Sequence, residues 1–180
     1  MIVLASNSIT RAKILKKFGI EFIQKGCDFD EEALTYTKPE HFVYHAAVGK
    51  MKKCVESYGF DTPLLTADTV VVSGEKILRK AKDKDDAREI LLSQSGKSVS
   101  IITCMNYKSK KLEFLDLSET KYLFYPFDED DLENYLKGDE WKDKAGACMV
   151  EGFCKKYIKE VKGLQSCAMG LTIEKLLPFL

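Results

Sequence analysis

The sequence predicts an α/β fold formed as a single domain over residues 1–180, and three observations predict it. Short apolar runs rich in Val, Ile, Leu and Thr alternate along the chain with segments whose apolar residues recur at helical spacing. No internal repeat, low-complexity tract or linker interrupts the 180 residues, enough chain for one proper core or for two small lobes sharing a sheet. Lys plus Arg and Asp plus Glu each number 28, so a net charge of zero argues against a polyelectrolyte partner such as nucleic acid or a membrane surface.

Taken in order, Met1 to Ala5 reads as a first buried strand, and the polar Ser6-Asn7-Ser8 that follows makes it too short for a signal-peptide core. Ser8 or Thr10 is placed to cap a helix with Ile14, Leu15 and Phe18 on its apolar face and Gly19 just past its end. Strand, short polar loop and helix N-terminus together direct backbone N–H groups at an anion. Ile20 to Ile23 restarts as a strand, and Cys27-Asp28-Phe29-Asp30-Glu31-Glu32 reads as a solvated acidic loop. A long helix is expected from Pro39 to about Tyr58, where Val43, Ala47, Met51, Cys54 and Tyr58 keep helical spacing. Lys50 falls inside that stripe, so it either snorkels to water or reaches a negative charge in a pocket.

Leu64 to Val72 is an apolar, β-branched run of the kind buried on both faces of a sheet, yet it carries Asp68. An isolated ionised carboxylate in such a strand suffers a large desolvation penalty. Asp68 is therefore either at the exposed end of the strand or a functional group. Ser73-Gly74-Glu75 reads as a hairpin turn, Lys76 to Arg79 as its return strand, and Asp83 with Asp86 as the cap of a helix that Ser95-Gly96 closes. Val99 to Met105 and Leu112 to Tyr125 are strand-like, and Asp128 opens a short helix with Leu132, Tyr135 and Leu136 inward and Gly138 after it. Asp139 to Gly146 is a charged loop with the only Trp, Lys155 to about Val161 a further strand, and Thr172 to Leu177 a last helix. Tyr122, Phe124 and Tyr125 form an aromatic patch suited to a core or a dimer interface.

The six cysteines lie far apart with no C-x-x-C pair, which reads as reduced structural thiols in a cytosolic protein. His41 and His45 stand four residues apart on a helix, but no Glu beside His41 completes an H-E-x-x-H pattern. No window approaches the length of a transmembrane helix.

Three segments carry a resemblance together. Leu4-Ala5-Ser6-Asn7-Ser8-Ile9-Thr10-Arg11, then Ala67-Asp68-Thr69-Val70-Val71 with Leu78-Arg79-Lys80, then Asp143-Lys144-Ala145-Gly146-Ala147 with Val150-Glu151-Gly152 resemble, in order and spacing, the Maf (septum formation) family of nucleoside triphosphate pyrophosphatases. The resemblance implies a mixed, strongly twisted sheet flanked by helices, two lobes around a cleft, a cytoplasmic location and a homodimer. It also implies hydrolysis of a nucleoside triphosphate to the monophosphate and pyrophosphate with a divalent metal, Mg or Mn. A nucleotide-binding regulator of cell division is the alternative.

By the same resemblance Ser6, Ser8 and Arg11 are expected to bind phosphate and Lys50 and Lys80 to act as cationic clamps. Glu31 and Asp68 would hold the metal, Asp68 would be the general base, and Thr69 and Lys144 would add substrate contacts. Arg11 can grip phosphate bidentately, whereas each Lys acts as a point charge. The chain departs from the family where Ile9-Thr10-Arg11 replaces the usual Pro-Arg-Arg and Arg79-Lys80-Ala81 the usual Gly-Lys-Pro. Thr10 and Glu151 match the positions associated with base choice. Glu151 stands where the thymidine and uridine triphosphate branch has Gln, and an ionised carboxylate only accepts hydrogen bonds, which favours a base edge that donates, such as guanine.

Overall fold

Most of the apolar runs of the sequence become strands and the helical-period segments helices in the computed structural model, which describes all residues 1–180. In chain order the elements are β1 (Ile2–Leu4), α1 (Ile9–Lys17), β2 (Phe22–Gln24), α2 (Pro39–Tyr58), β3 (Leu64–Ser73), β4 (Lys76–Leu78), α3 (Lys84–Leu92), β5 (Ser98–Lys108), β6 (Glu113–Phe124), α4 (Glu129–Lys137), β7 (Ile158–Lys162), α5 (Gln165–Ala168) and α6 (Ile173–Leu176). Hydrogen bonding orders the strands β2-β1-β3-β5-β6-β7, with β4 paired to β3. Parallel and antiparallel pairs both occur, so the fold is mixed α/β. No helix is long and apolar enough to cross a membrane.

The chain divides into two units. The first comprises Met1–Thr69, Ile102–Ser118 and Leu164–Leu180, and the second Val70–Ile101 and Glu119–Gly163.

In the first unit β1 pairs in parallel with β2 and with β3, so each connection must cross over through a helix. Alternate residues then point to opposite faces. Val3, Ala5 and Leu64 pack with Met51 and Cys54 of α2, while Ile2, Leu4 and Leu65 pack with Ile14 and Leu15 of α1, Met105 of β5 and Leu171, Ile173 and Leu176 near the C-terminus. Both faces are buried, which explains why the runs show no polar alternation. Asp116 of β6 holds the C-terminal segment to this unit, accepting from Thr172 Oγ1 at 2.6 Å and Lys175 Nζ at 2.7 Å.

The expectation of six reduced thiols fails here: Cys27 and Cys54 form a disulfide, and Cys104, Cys148, Cys154 and Cys167 are free and buried. The two partners are 27 residues apart. Only the packing of the loop after β2 against α2 brings them together, which no local spacing rule could show.

In the second unit Gly74, at φ +62°, makes the tight turn between β3 and β4. Asp83 caps α3 and Asp128 caps α4, and Arg88 ties the two helices through Glu129 at 2.7 Å and Glu133 at 2.9 Å. Phe127, Tyr135, Phe153 and Tyr157 pack into one aromatic cluster, with Tyr135 stacked on Phe153. The strand expected from Lys155 instead begins as a 3-10 helix, Phe153–Tyr157, before β7, because Phe153 and Tyr157 turn into that cluster. Tyr122 and Phe124 are buried while Tyr125 is exposed, and α5 was not foreseen in the sequence.

Candidate active site

The site grows from the N-terminus of α1. Ser8 is the N-cap, its Oγ accepting from the Arg11 backbone N–H, and its own N–H donates to Ser6 Oγ. Gln24 of β2 holds the loop through the Ser6 and Ser8 carbonyls at 2.8 and 3.3 Å. Ser6, Ser8 and Arg11 therefore stand on one rigid turn at the positive end of the helix dipole.

Arg11 projects from the first turn into a nest of acceptors. Its Nε donates to Gly170 O at 3.0 Å, and its two Nη atoms donate to Ser6 Oγ and Thr69 Oγ1, each at 3.1 Å. Burial pulls the guanidinium pKa down, while Asp68 and Glu31 oppose that shift. Arg remains charged under all ordinary conditions.

Lys50 resolves the choice posed by its place in the apolar stripe of α2: it reaches a negative charge rather than snorkelling. Its Nζ lies 2.5 Å from Glu31 Oε1 and 2.7 Å from Asp68 Oδ1. Asp68 sits in the middle of β3 rather than at an exposed end, and it is 4% exposed. Its second oxygen, Oδ2, is buried without a hydrogen-bond partner. Burial raises the Asp68 carboxyl pKa and the Glu31 charge adds to the rise, against the pull of Lys50 and Arg11.

The acidic loop carrying Glu31 is anchored rather than freely solvated. Phe29 lies over Gly49, the residue before Lys50, so closely that a Cβ there would stand 2.3 Å from the ring. Tyr58 O–H donates to Gly26 O at 2.5 Å, and the Cys27–Cys54 disulfide pins the same loop one turn beyond Lys50. Glu31, Lys50 and Asp68 thus come from a loop, a helix and a strand whose relative placement is locked by packing.

Lys80, Lys144 and Glu151 belong to the second unit. Lys80 pairs with Ala145 in an isolated antiparallel bridge, which sets Lys144 beside that pairing, and Gly146 N–H donates to Arg79 O at 3.0 Å. Gly146 has φ +66° and a Cβ there would meet Val71 Cγ1 at 2.9 Å, so glycine is required for this approach. Gln94 accepts the loop into the unit by donating to Gly146 O at 2.7 Å. Glu151 is half-buried in the turn before the 3-10 helix, and Thr10 lies in the first turn of α1.

The structure thus gathers Ser6, Ser8, Arg11, Glu31, Lys50, Asp68 and Thr69 in the first unit, with Lys80 and Lys144 neighbours in the second. Sequence reading missed Thr103, Gly170 and the carbonyl of Cys167. A threonine inside a β-branched run is an ordinary strand residue, so Thr103 gave no local signal.

A protein named nucleoside triphosphate pyrophosphatase from a Nitratiruptor species is 60% identical over 178 residues, spanning 98% of this chain and 96% of its own. Another of that name from Helicobacter pylori is 41% identical over 176 residues, 98% of this chain and 93% of its own. Among solved structures, the Staphylococcus aureus Ham1 protein aligns over 68% of this chain and 71% of its own with a TM-score of 0.49 and 15% identity. The Maf-like protein profile matches residues 1–180, end to end, and the chain therefore belongs to the Maf family.

Proposed function

We propose that this protein hydrolyses a nucleoside triphosphate to the monophosphate and pyrophosphate, acting as one domain in the housekeeping of the nucleotide pool. The observation that carries the reading is the Glu31–Lys50–Asp68 constellation beside the Arg11 turn, found in a chain whose relatives bear that enzyme name. Such an assembly is costly for a plain scaffold, since a buried carboxylate with an orphaned oxygen destabilises the fold it sits in.

Hydrolysis of a phosphoanhydride needs the phosphate charge neutralised, a water oriented and deprotonated, and the pyrophosphate leaving group stabilised. Ser6, Ser8 and Arg11 bind phosphate oxygens at the α1 N-terminus. Lys50 and Lys80 supply point charges, and Thr69 and Lys144 add polar contacts. Asp68 is the general base, and its geometry divides the work between two oxygens. Oδ1 is held by Lys50, while Oδ2 is the atom without a partner and takes the proton of the attacking water. The water oxygen bonds to phosphorus, the bond to the pyrophosphate oxygen breaks, and pyrophosphate leaves with the electron pair.

The donor set fits a divalent cation. Glu31 and Asp68 offer hard oxygen ligands suited to an ion such as Mg²⁺ or Mn²⁺ that keeps several waters, and the 41% exposed Glu31 side chain would present its carboxylate to such an ion. Such an ion, when bound, offsets phosphate charge. Thr10 and Glu151 set base choice, and the acceptor-only Glu151 favours a base with a donating edge. Two copies of the chain form the working unit.

Mixing the protein with Mg²⁺ or Mn²⁺ and a panel of nucleotides, and assaying pyrophosphate against orthophosphate, tests the reading. Pyrophosphate release with at least one triphosphate is expected, falling by about 10²–10⁴-fold in Asp68→Asn. No turnover of any triphosphate, or turnover undiminished in that variant, would overturn it.

A further inference from the structure

Arg11 does not stand alone. A chain of hydroxyls runs behind it into the first unit, and each proton in that chain has one direction. Thr69 Oγ1 lies 2.8 Å from Thr103 Oγ1, and Thr103 Oγ1 lies 2.8 Å from the Cys167 carbonyl. A carbonyl only accepts, so the single Thr103 proton goes to Cys167 O. Thr69 must then donate its own proton to Thr103, and its lone pair receives the Arg11 Nη2 proton. The relay reads Arg11 N–H to Thr69 O–H to Thr103 O–H to Cys167 C=O, with no donor and no acceptor opposed.

A second support meets Arg11 from the same C-terminal segment. Gly170 O accepts from Nε at 3.0 Å, and Gly170 has φ +100°, where a Cβ would lie 3.0 Å from Nε and 3.3 Å from Thr69 Oγ1. Only glycine brings its carbonyl to the guanidinium without pushing it away. Cys167 and Gly170 are themselves joined, Gly170 N–H donating to Cys167 O at 2.9 Å. One short stretch of backbone therefore supplies both ends of the frame.

A guanidinium has five N–H groups in a planar fork. Three are held by Gly170, Ser6 and Thr69, which leaves one on each Nη. Two free donors, one on each Nη of a fixed fork, can meet the oxygens of a phosphoryl group. Thr103 has no exposed surface and cannot touch a substrate.

We propose that Thr103, acting through Thr69, together with the Gly170 carbonyl, forms a positioning frame that aims the two free N–H groups of Arg11 at the substrate phosphate. The proposal rests on the phosphate-binding role given to Arg11 above. Neither Thr103 nor Gly170 is a catalytic residue; each acts through the guanidinium.

A double-mutant cycle tests this, using pyrophosphate release by the full chain as kcat/KM. Thr103→Val removes the hydroxyl at nearly constant volume and is expected to lower kcat/KM by about 10–100-fold, the equivalent of one hydrogen bond to a charged group. Thr103→Ser, which keeps the hydroxyl, is expected to restore most of that loss. In an Arg11→Ala background the further effect of Thr103→Val is expected to shrink below about twofold, the additivity failure expected of residues acting as one unit. Thr103→Ala carries the same comparison should the valine variant not fold. An equal loss in the presence and absence of Arg11, or a serine variant as impaired as the valine variant, would overturn the frame while leaving the role of Arg11 intact. Arg11→Ala with undiminished kcat/KM would overturn the phosphate role itself and the frame with it.

Discussion

Lys50→Met keeps the aliphatic stem and removes only the ammonium, so it isolates the electrostatics of the Glu31–Lys50–Asp68 cluster. The two halves of the cluster differ in exposure: the Glu31 side chain is 41% exposed and that of Asp68 only 5%. Solvent screens the Glu31 half, which contributes roughly 0–1 kcal/mol. The Asp68 half is a buried pair, and breaking such a pair by removing one partner costs about 3–5 kcal/mol. The lower end of that range, about 3 kcal/mol, is expected at pH 8. For a chain of this size that is a fall in Tm of roughly 6–12 °C.

The pH dependence gives the sharper assay. Burial already raises the folded-state pKa of Asp68 above its unfolded value. Its favourable contribution is therefore present at low pH, where it is protonated in both states, and is lost as pH rises through the folded pKa. Removing Lys50 raises that pKa further, because the nearest opposing cation has gone. The Tm gap between wild type and Lys50→Met should be widest at pH 8 and should narrow towards pH 5. A gap that is constant over this range, or that widens on acidification, would refute the assignment of Lys50 as the counter-charge of a buried ionised Asp68.

The disulfide between Cys27 and Cys54 closes a loop with a sequence separation of 27, which in the chain-entropy picture stabilises by roughly 3–4 kcal/mol. Cys27→Ser with Cys54→Ser should lower Tm by several degrees, a dithiol reductant should reproduce the fall in wild type, and the reductant should leave the double variant unaltered. Gly146→Ala places a side chain at φ +66° and within 2.9 Å of Val71 Cγ1, so about 2–4 kcal/mol of destabilisation is expected by denaturant titration. The same titration should show Gly74→Ala, at φ +62° with open space around the added Cβ, losing about half as much.

What could be read from the chain alone was whatever depends on neighbours in sequence. Helical spacing with Pro39 at the start located α2 between its observed limits, Asp83 and Asp128 were recognisable as caps because capping is a contact over three residues, and the choice between Ser8 and Thr10 fell to Ser8 only in the structure. The oddity of Asp68 was visible for the same reason, a carboxylate inside an apolar run. Its position in mid-strand was not, since the run itself has no landmark for depth. Lys50 could be assigned only a choice of two environments, and the 2.7 Å approach to Asp68 decided between them. Tertiary structure alone joined Cys27 to Cys54, laid Phe29 over Gly49 and brought Thr103, Cys167 and Gly170 behind Arg11. The physical reason is that parallel strands pair only through crossovers, so residues from distant segments meet at their faces and ends. Sequence period says which side of an element is buried; only the packed fold says against what.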